Sequence, residues 1–382
     1  MFLVGGVVRD ALMGLDHPSD VDLTTDAVPE TIRALLEPHV DALWDQGARF
    51  GTIAAMVGEA KVEITTHRCE RYDSGSRKPV VGFGTDIVED LERRDFTINA
   101  MALDLIGELG LVDPFGGRSD LEQGRLRTPQ EPSVSFGDDP LRMMRAARFV
   151  ARFGLDVDAA LTDAMAKCAP RMSIVSVERQ RDEIEGLLGL PDVGAGLAML
   201  TEAGLDEVVF SVSVSSLVGL DWAAIETVEH KRLVLFDSLG DVRQQMRHFR
   251  YANAAIVDAE AGAAVIEAIT THTGSWTDAE IRRVALGKSL RASAFAAMIA
   301  RSSPTSDRAR GEVFAAALAD LRAREDLEDV SVPLSGRDVM DLLGIDEGAM
   351  IGEALDYLRE CRIADGPIDR ATAMKLLQAW TG

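Results

Sequence analysis

Two aspartates separated by one residue are the first group in the sequence that could do chemistry. Asp20 and Asp22 lie at the start of a β-rich run, and on a strand residues i and i+2 project from the same face. Two adjacent carboxylates are costly unless a cation joins them, and Mg²⁺ is commonly held by one or two carboxylates together with substrate phosphates. The pair is therefore a candidate metal site, although a solvated strand face has the same pattern.

Glu63 is a candidate third carboxylate. It lies between Val62 and Ile64 in a run that alternates with apolar residues, so its side chain could share a face with the aspartate pair. An ordinary outward-facing strand residue shows the same alternation. The sequence leaves both interpretations open.

Gly5 and Gly6 follow a short apolar run and precede a helical pattern with Arg9 in its first turn. Backbone N–H groups can approach a phosphate closely at such a turn, because glycine has no Cβ. A tight turn with a surface arginine is the alternative. A dinucleotide-binding motif is excluded, because G-x-G-x-x-G is absent and no acidic residue ends a second parallel strand at the required distance.

Residues 92–99 contain a cluster of charged side chains. Arg93, Arg94, Asp95 and Asn99 lie in one short polar stretch beside an apolar run. Such a cluster is typical of a salt-bridged helix end, and its guanidinium groups are also suited to an anionic ligand. The sequence alone does not decide between the two.

A stripe of arginines is the most informative feature of the chain. Arg142, Arg145, Arg148 and Arg152 fall on one arc of roughly 120° of a helix that turns about 100° per residue. Like charges at this spacing repel each other, and no acidic residue is interleaved. The stripe therefore predicts an anionic ligand.

Two carboxylates precede this stripe. Asp138 and Asp139 stand before Pro140, where they could act as cap and first-turn residues. Asp139 and Arg142 together could also read a base. Cytosine and adenine present an exocyclic amine beside an unprotonated ring nitrogen, whereas uracil and guanine present a carbonyl beside a ring N–H. A carboxylate and a guanidinium would therefore accept C and A and reject U and G.

These residues must be positioned by two kinds of structure. Up to about residue 130 the pattern predicts a small α+β domain with a helix over 29–36, and strands over 3–4, 21–24, 52–57, 62–66, 101–105 and 109–113. A stretch over 70–84, rich in charge, Gly, Ser and Pro, predicts a mobile loop. From residue 138 onward the pattern is helical. Helices are predicted over 140–152, 159–168, 177–188, 195–203, 222–239, 254–269, 278–286, 307–324 and 352–362.

Composition limits the possible classes of protein. The 382 residues suggest two or three domains, and 47% hydrophobic with 27% charged residues is typical of a globular chain rather than a disordered one. No apolar run reaches the roughly 18 residues of a membrane helix, and no secretory signal precedes the first strand, so we expect a cytoplasmic protein. The three cysteines argue against a disulfide framework or a zinc site. The net charge of −23 disfavours a nucleic-acid partner unless basic residues cluster locally.

Several motifs in order make the chain resemble the class II tRNA nucleotidyltransferases, the CCA-adding enzymes, and the related bacterial poly(A) polymerases. The resemblance covers residues 5–188 and rests on GGVVRD, the aspartate pair, VEITTHR, ERRDFTINAMA and DDPLRMMRAAR. Beyond residue 200 the resemblance rests on the helical pattern of the sequence and on residues 334–338 and 351–352. It implies an α+β fold: a nucleotidyltransferase head with a small mixed sheet, similar to DNA polymerase β (1–130), then an all-α neck (131–205), and a helical body and tail (206–382).

The resemblance also implies roles for individual residues. Mg²⁺ would be held by Asp20 and Asp22; the third catalytic carboxylate, Glu63, rests on the strand alternation described above and not on the resemblance. The implied nucleotide-binding residues are Gly6, Arg9, Arg94, Asp139, Arg142, Arg145 and Arg148. Within this set, Asp139 and Arg142 would pair with the base. The loop over 71–79 is similar to the flexible loop that complete CCA-adding members use when they switch from C to A.

The implied reaction is attack of a tRNA 3′-hydroxyl on the α-phosphate of CTP or ATP, with Mg²⁺ assistance and release of pyrophosphate. The tRNA would bind through its 3′ end and its acceptor and T arms. Three alternatives remain: a poly(A) polymerase, a member that adds only CC or only the final A, and, more remotely, a non-catalytic tRNA-binding protein.

Overall fold

The structure is a computed structural model that describes residues 1–15, 20–71, 80–107, 110–302 and 305–380. The chain divides into two compact units, Met1–Val218 and Gly219–Gly382. Every strand of the described residues belongs to the first unit. The division into head, neck, and body with tail stays a prediction, because the first unit contains both the predicted head and the predicted neck.

The first unit is built on a mixed sheet. The strands are β1 (Phe2–Val4), β2 (Asp20–Thr25), β3 (Ala42–Trp44), β4 (Thr52–Val57), β5 (Ala60–Thr66), β6 (Arg68–Arg71), β7 (Val80–Phe83), β8 (Ala102–Asp104) and β9 (Leu111–Val112). Seven of them form one sheet in the order β3-β4-β5-β2-β1-β8-β9, while β6 and β7 pair separately. Within the large sheet β2 and β5 are parallel, and the other pairs are antiparallel. The α+β class and the predicted strands are confirmed.

The stretch over 70–84 differs from the expected loop. Its two ends form the antiparallel pair β6 and β7, in which Arg68 faces Phe83 and Arg71 faces Val80. The apolar residues Val80, Val81 and Phe83 suit a strand, but the charged and glycine-rich residues before them hid that signal. Residues 72–79, which include most of the predicted 71–79 loop, lie outside the described residues.

Ten α-helices are described in the first unit. They are α1 (Gly6–Leu12), α2 (Pro29–Leu36), α3 (Ile87–Glu92), α4 (Gly117–Glu122), α5 (Pro132–Asp138), α6 (Leu141–Phe153), α7 (Ala159–Cys168), α8 (Val177–Leu188), α9 (Gly194–Glu202) and α10 (Leu205–Phe210). Helices α2, α7 and α8 have the predicted bounds, and α6 is shifted by one residue. The expectation that Asp138 caps α6 is wrong, because Asp138 ends the preceding helix α5.

The second unit, where it is described, consists of α-helices joined by loops and a 3₁₀ turn. The helices are α11 (Val228–Ser238), α12 (Val242–His248), α13 (Asn253–Thr271), α14 (Asp278–Ala285), α15 (Ser289–Ser302), α16 (Thr305–Arg324), α17 (Gly336–Leu343), α18 (Ala349–Asp365) and α19 (Arg370–Ala379). The single helix predicted over 222–239 is wrong. A 3₁₀ turn at Trp222–Ala224 precedes α11, which starts anew because the Thr227 side chain accepts a hydrogen bond from the His230 N–H.

Residues 334–338 have a clear structural role in this unit. The Ser335 hydroxyl and the Asp338 carboxylate form a capping box that begins α17. Arg370 of α19 donates to Asp338 at 2.6 Å, and Leu334, Val339 and other apolar residues form the core beneath. No helix among the described residues is long and apolar enough to cross a membrane.

Candidate active site

One cavity of about 410 Å³ lies beside the central strands of the large sheet. It is lined by residues of strands β1, β2, β4, β5 and β6, of α3 with the turn that follows it, and of α6. Four predicted site residues line this cavity: Asp22, Glu63, Arg94 and Arg142. Its size suits a nucleotide. Residues that are far apart in the sequence therefore meet at one place in the first unit.

The carboxylates are placed by strand register. Asp22 and Glu63 are direct partners across the parallel strands β2 and β5, so their side chains point to the same face. The shared face predicted for Glu63 is thus present, and Glu63 also pairs with Lys61 at 2.6 Å. Asp20 lies at the first position of β2, and the structure describes its backbone only.

The carboxylate oxygens at this cavity fit a hard divalent cation whose remaining coordination positions are filled by substrate and water. Among the residues that the structure describes, no three His, Cys, Asp or Glu side chains converge to form a metal site. Asp22 nevertheless presents carboxylate oxygen to a cavity that also contains cationic side chains. Magnesium uses one or two carboxylates and takes its other ligands from phosphate and water, so a small carboxylate set is sufficient.

The turn at Gly5 and Gly6 packs against this cavity. Gly5 has φ +74°, which favours glycine, and a Cβ at this position would lie 3.1 Å from Arg94 Nη1 and 3.8 Å from Asp22 Oδ2. The turn between β1 and α1 therefore approaches both side chains closely. A larger residue at Gly5 would strain the backbone and displace the Arg94 guanidinium.

Arg9 differs from the expectation that it reaches an anion in the cavity. Its side chain is buried, with the residue only 4% exposed. The guanidinium donates to Asp10 at 2.8 Å and to Asn99 at 2.5 Å, and it lies over the Phe153 ring at 4.7 Å. Asp10 and the aromatic face supply the partners that a ligand was expected to supply. The structure does not place Arg9 among the residues that line the cavity; Gly6, whose Cβ position would lie 3.3 Å from Arg9 Nη2, is also absent from them.

Arg142 is fixed at the cavity by neighbouring elements. Its Nη1 donates to the Ser135 hydroxyl at 2.7 Å, and its Nη2 donates to the Arg93 carbonyl. Burial lowers the pKa of the Arg142 guanidinium, while the charges of Asp95 and Asp139 oppose that change. The side chain therefore lines the cavity in one held orientation.

Both carboxylate oxygens of Asp139 have hydrogen-bond partners within the chain. One carboxylate oxygen accepts from the Leu141 N–H at 3.2 Å, so it contacts the start of α6. The other accepts from Arg179 at 2.9 Å. Asp139 is not among the residues that line the cavity. Its predicted pairing with a base stays a prediction.

Three of the four arginines of the stripe pair with carboxylates of the chain itself, whereas Arg142 lines the cavity, so the predicted anionic ligand stays a prediction. Arg145 pairs with Asp95 at 2.6 Å and with Glu183 at 3.4 Å, and Arg148 pairs with Glu183 at 2.7 Å. Arg152 lies 3.9 Å from the carboxylate of Asp10. The carboxylates come from other elements, so the absence of interleaved acids on α6 could not reveal them.

Asp95 has its charge stabilised strongly at this junction. Burial raises the pKa of its carboxyl, but the charge of Arg145 and hydrogen bonds from Asn99, Arg145 and the Phe96 N–H outweigh burial and lower the pKa overall. The Arg94–Asp90 pair at 3.2 Å confirms the helix-end interpretation for part of the 92–99 cluster. Asp95 instead joins this segment to α6.

The cavity also contains residues that the sequence did not single out as site residues. Thr52, Arg68 and Asp90 all line it. Arg68 is the last residue of the motif VEITTHR, just after β5 ends, and Asp90 of α3 lies four residues before Arg94, which follows the end of that helix. The strand exit and the i, i+4 spacing were the signals that could have indicated these two residues.

Two family models match separate parts of this chain. Residues 1–127 match the family model of the poly(A) polymerase head domain. Residues 154–213 match the model described as the probable RNA and SrmB-binding site of polymerase A.

Three relatives are informative. A CCA-adding enzyme of Bacillus pumilus is 42% identical over 49% of this chain and 45% of its own length. One of Geobacillus stearothermophilus is 31% identical over 94% of this chain and 87% of that protein. The crystal structure of the Bacillus stearothermophilus CCA-adding enzyme in complex with CTP has a TM-score of 0.77 at 27% identity, covering 99% of this chain and 92% of that one. The chain therefore belongs to the class II family of CCA-adding enzymes and poly(A) polymerases.

Proposed function

We propose that this chain adds C, C and A to the 3′ end of tRNA, without a template, from CTP and ATP. The supporting observation is the cavity in which Asp22 and Glu63 meet Arg94 and Arg142. Nucleotidyl transfer needs carboxylates at the reacting phosphate and cationic donors along the triphosphate. The relative with 31% identity along almost the whole chain supports the same reaction.

The first part of the proposal concerns the reacting phosphate. Asp20 and Asp22 would hold the divalent cation on which this family depends, and we propose that the ion is Mg²⁺. When bound, it would acidify the attacking hydroxyl and offset charge on the leaving pyrophosphate. Glu63, the strand partner of Asp22, would act beside it, and Arg94, held by Asp90, would bind the triphosphate near Gly6. Arg9 would support the same turn from its buried position.

The second part of the proposal concerns the base. Arg142 lines the cavity and would donate to the unprotonated ring nitrogen of cytosine or adenine, while Asp139 would accept from the exocyclic amine. For this, Asp139 must exchange its contact with Arg179 for the base. Arg145 and Arg148 would hold α6 in place through their carboxylate partners. The tRNA would bind through its 3′ end and its acceptor and T arms, in the cytoplasm.

The decisive experiment offers each nucleotide separately to purified protein with tRNA that ends before CCA, after C or after CC. We expect CMP to be incorporated at the first two positions and AMP at the last. A poly(A) polymerase would use ATP only and extend repeatedly, and the poly(A) polymerase head model keeps this alternative open. Absence of CTP incorporation, or a stop after CC, would replace the proposal by one of the partial activities.

Asp22→Ala tests the assignment of the carboxylate. We expect incorporation to fall by about 1,000-fold or more, because several kcal/mol of charge stabilisation are lost, while tRNA binding stays within about threefold. Asp45→Ala, which removes an exposed carboxylate paired with Arg33, is the matched control and should keep full activity. Near wild-type CTP addition by Asp22→Ala would refute the metal assignment.

A further inference from the structure

Arg68 is a cavity residue that no role above uses. It is the first residue of β6, separated by one residue from the end of β5, and its half-buried side chain lines the cavity with Asp22 and Arg94. Its Nη2 donates to the Thr52 hydroxyl at 3.3 Å. Its Nε is fully buried and has no hydrogen-bond partner among the residues that the structure describes. A buried guanidinium donor without a partner is costly unless a ligand accepts from it.

Asp90 connects Arg68 to Arg94. One Asp90 oxygen accepts from the backbone N–H of Arg68 at 3.1 Å, and the other accepts from Arg94 Nη2 at 3.2 Å. Asp90 itself is 8% exposed. One buried carboxylate therefore fixes the backbone that carries one guanidinium and the head group of another. Both cations lie on the same part of the cavity wall.

The charge balance on this wall favours an anionic ligand. Burial lowers the pKa of the Arg68 guanidinium, Asp90 opposes this change, and the nearby charges of Arg93 and Arg94 lower it further. The Nε of Arg94 is also buried and without a partner in the described part of the chain. Each of these two guanidinium groups has an unused Nε donor, and the planar fork of a guanidinium matches phosphate oxygens.

We propose that Arg68 binds the triphosphate of the incoming nucleotide, together with Arg94, and retains the pyrophosphate until it leaves. The inference rests on the proposed nucleotidyl transfer and extends it to a residue on the phosphate side of the cavity. Arg142 contributes from α6, a different element from the one that places Arg68 and Arg94. Arg68 should therefore act equally on CTP and ATP, whereas Arg142 should distinguish bases.

The test compares Arg68→Met with Arg33→Met by calorimetric titration in the presence of Mg²⁺. Arg33 is a half-exposed head residue paired with Asp45, so its replacement removes one positive charge away from the cavity. The ligands are CTP, ATP, pyrophosphate and CMP. In Arg68→Met we expect CTP, ATP and pyrophosphate to bind about 10- to 100-fold more weakly, and CMP to change less than threefold. Arg33→Met should match the wild type for all four.

Two results would overturn the proposal: unchanged pyrophosphate affinity in Arg68→Met, or an equal loss for CMP, which would indicate a structural role. Thermal melting shows whether the variant folds. If it does not, Arg68→Lys replaces it, because lysine keeps the charge but lacks the fork. Its pyrophosphate affinity should fall between about 3- and 10-fold, and wild-type affinity would refute the proposed contact. These titrations need no tRNA, so they decide the role of Arg68 even if CCA addition is not observed.

Discussion

Asp22 and Arg142 come from distant parts of the sequence and line one cavity. Asp22 is brought there by the pairing of β2 with β5, and Arg142 by hydrogen bonds to Ser135 and to the Arg93 carbonyl. Because Arg142 donates to the Arg93 carbonyl, next to Arg94, it helps to position the proposed triphosphate-binding side of the cavity as well as the base. The individual role of Arg142 must therefore be separated from its structural contacts.

We expect Arg142→Met to relax base choice more than it weakens triphosphate binding. A well-placed hydrogen-bonded pair with a base is worth about 1–3 kcal/mol of discrimination, so the ratio of kcat/KM for CTP over UTP should fall by about 10- to 100-fold. Pyrophosphate affinity should change by less than about threefold. Arg118→Met, on the exposed face of α4, is the control. An equal loss for all four nucleotides would contradict this role.

At the scale of elements, helix bounds were easier to predict than contacts between helices. Helices α7 and α8 follow from local periodicity and from the N-caps Asp158 and Ser176, so the sequence places them correctly. The stripe on α6 is equally visible, but its partners Asp95 and Glu183 lie on other elements. The spacing of the arginines on α6 indicates that anionic partners are needed. It cannot show whether those partners are carboxylates of the chain or a bound ligand.

The Asp95–Arg145 pair predicts a specific dependence of stability on pH. The folded-state pKa of Asp95 is lowered, so the stabilisation is present above the unfolded value of about 3.9 and is lost as the pH falls through the folded-state value. At pH 7 we expect Asp95→Asn to lower the free energy of unfolding by about 3 kcal/mol, because Arg145 loses a largely buried partner.

Urea unfolding of both proteins at a series of pH values from 7 to 3 measures this effect. The difference between the wild type and Asp95→Asn should be largest at neutral pH and should shrink below about pH 4 as the Asp95 carboxylate is protonated. A control variant is Asp45→Asn, in an exposed ion pair whose contribution should be small. A difference for Asp95→Asn that does not vary with pH would contradict the assignment.

At the scale of the whole molecule, the net negative charge is the feature that agrees least with a tRNA substrate. The chain has 63 acidic and 40 basic residues, and several of its clustered arginines are already paired. Nucleic-acid affinity normally draws on Lys and Arg side chains that displace counterions from phosphates. The arginines of α6 cannot serve the acceptor arm and their internal carboxylates at the same time.

We therefore expect a shallow salt dependence of tRNA affinity. If about three to five phosphates are neutralised, a plot of log K against log salt concentration should have a slope of about −2 to −4, measured by fluorescence titration of tRNA lacking CCA in KCl. Asp22→Ala should give the same slope, because that carboxylate is assigned to the reacting phosphate. A slope steeper than about −6 would mean that internal ion pairs open to contact the tRNA. Glu183→Gln, which removes the carboxylate partner of Arg148 while Arg145 keeps Asp95, would then steepen the slope little further.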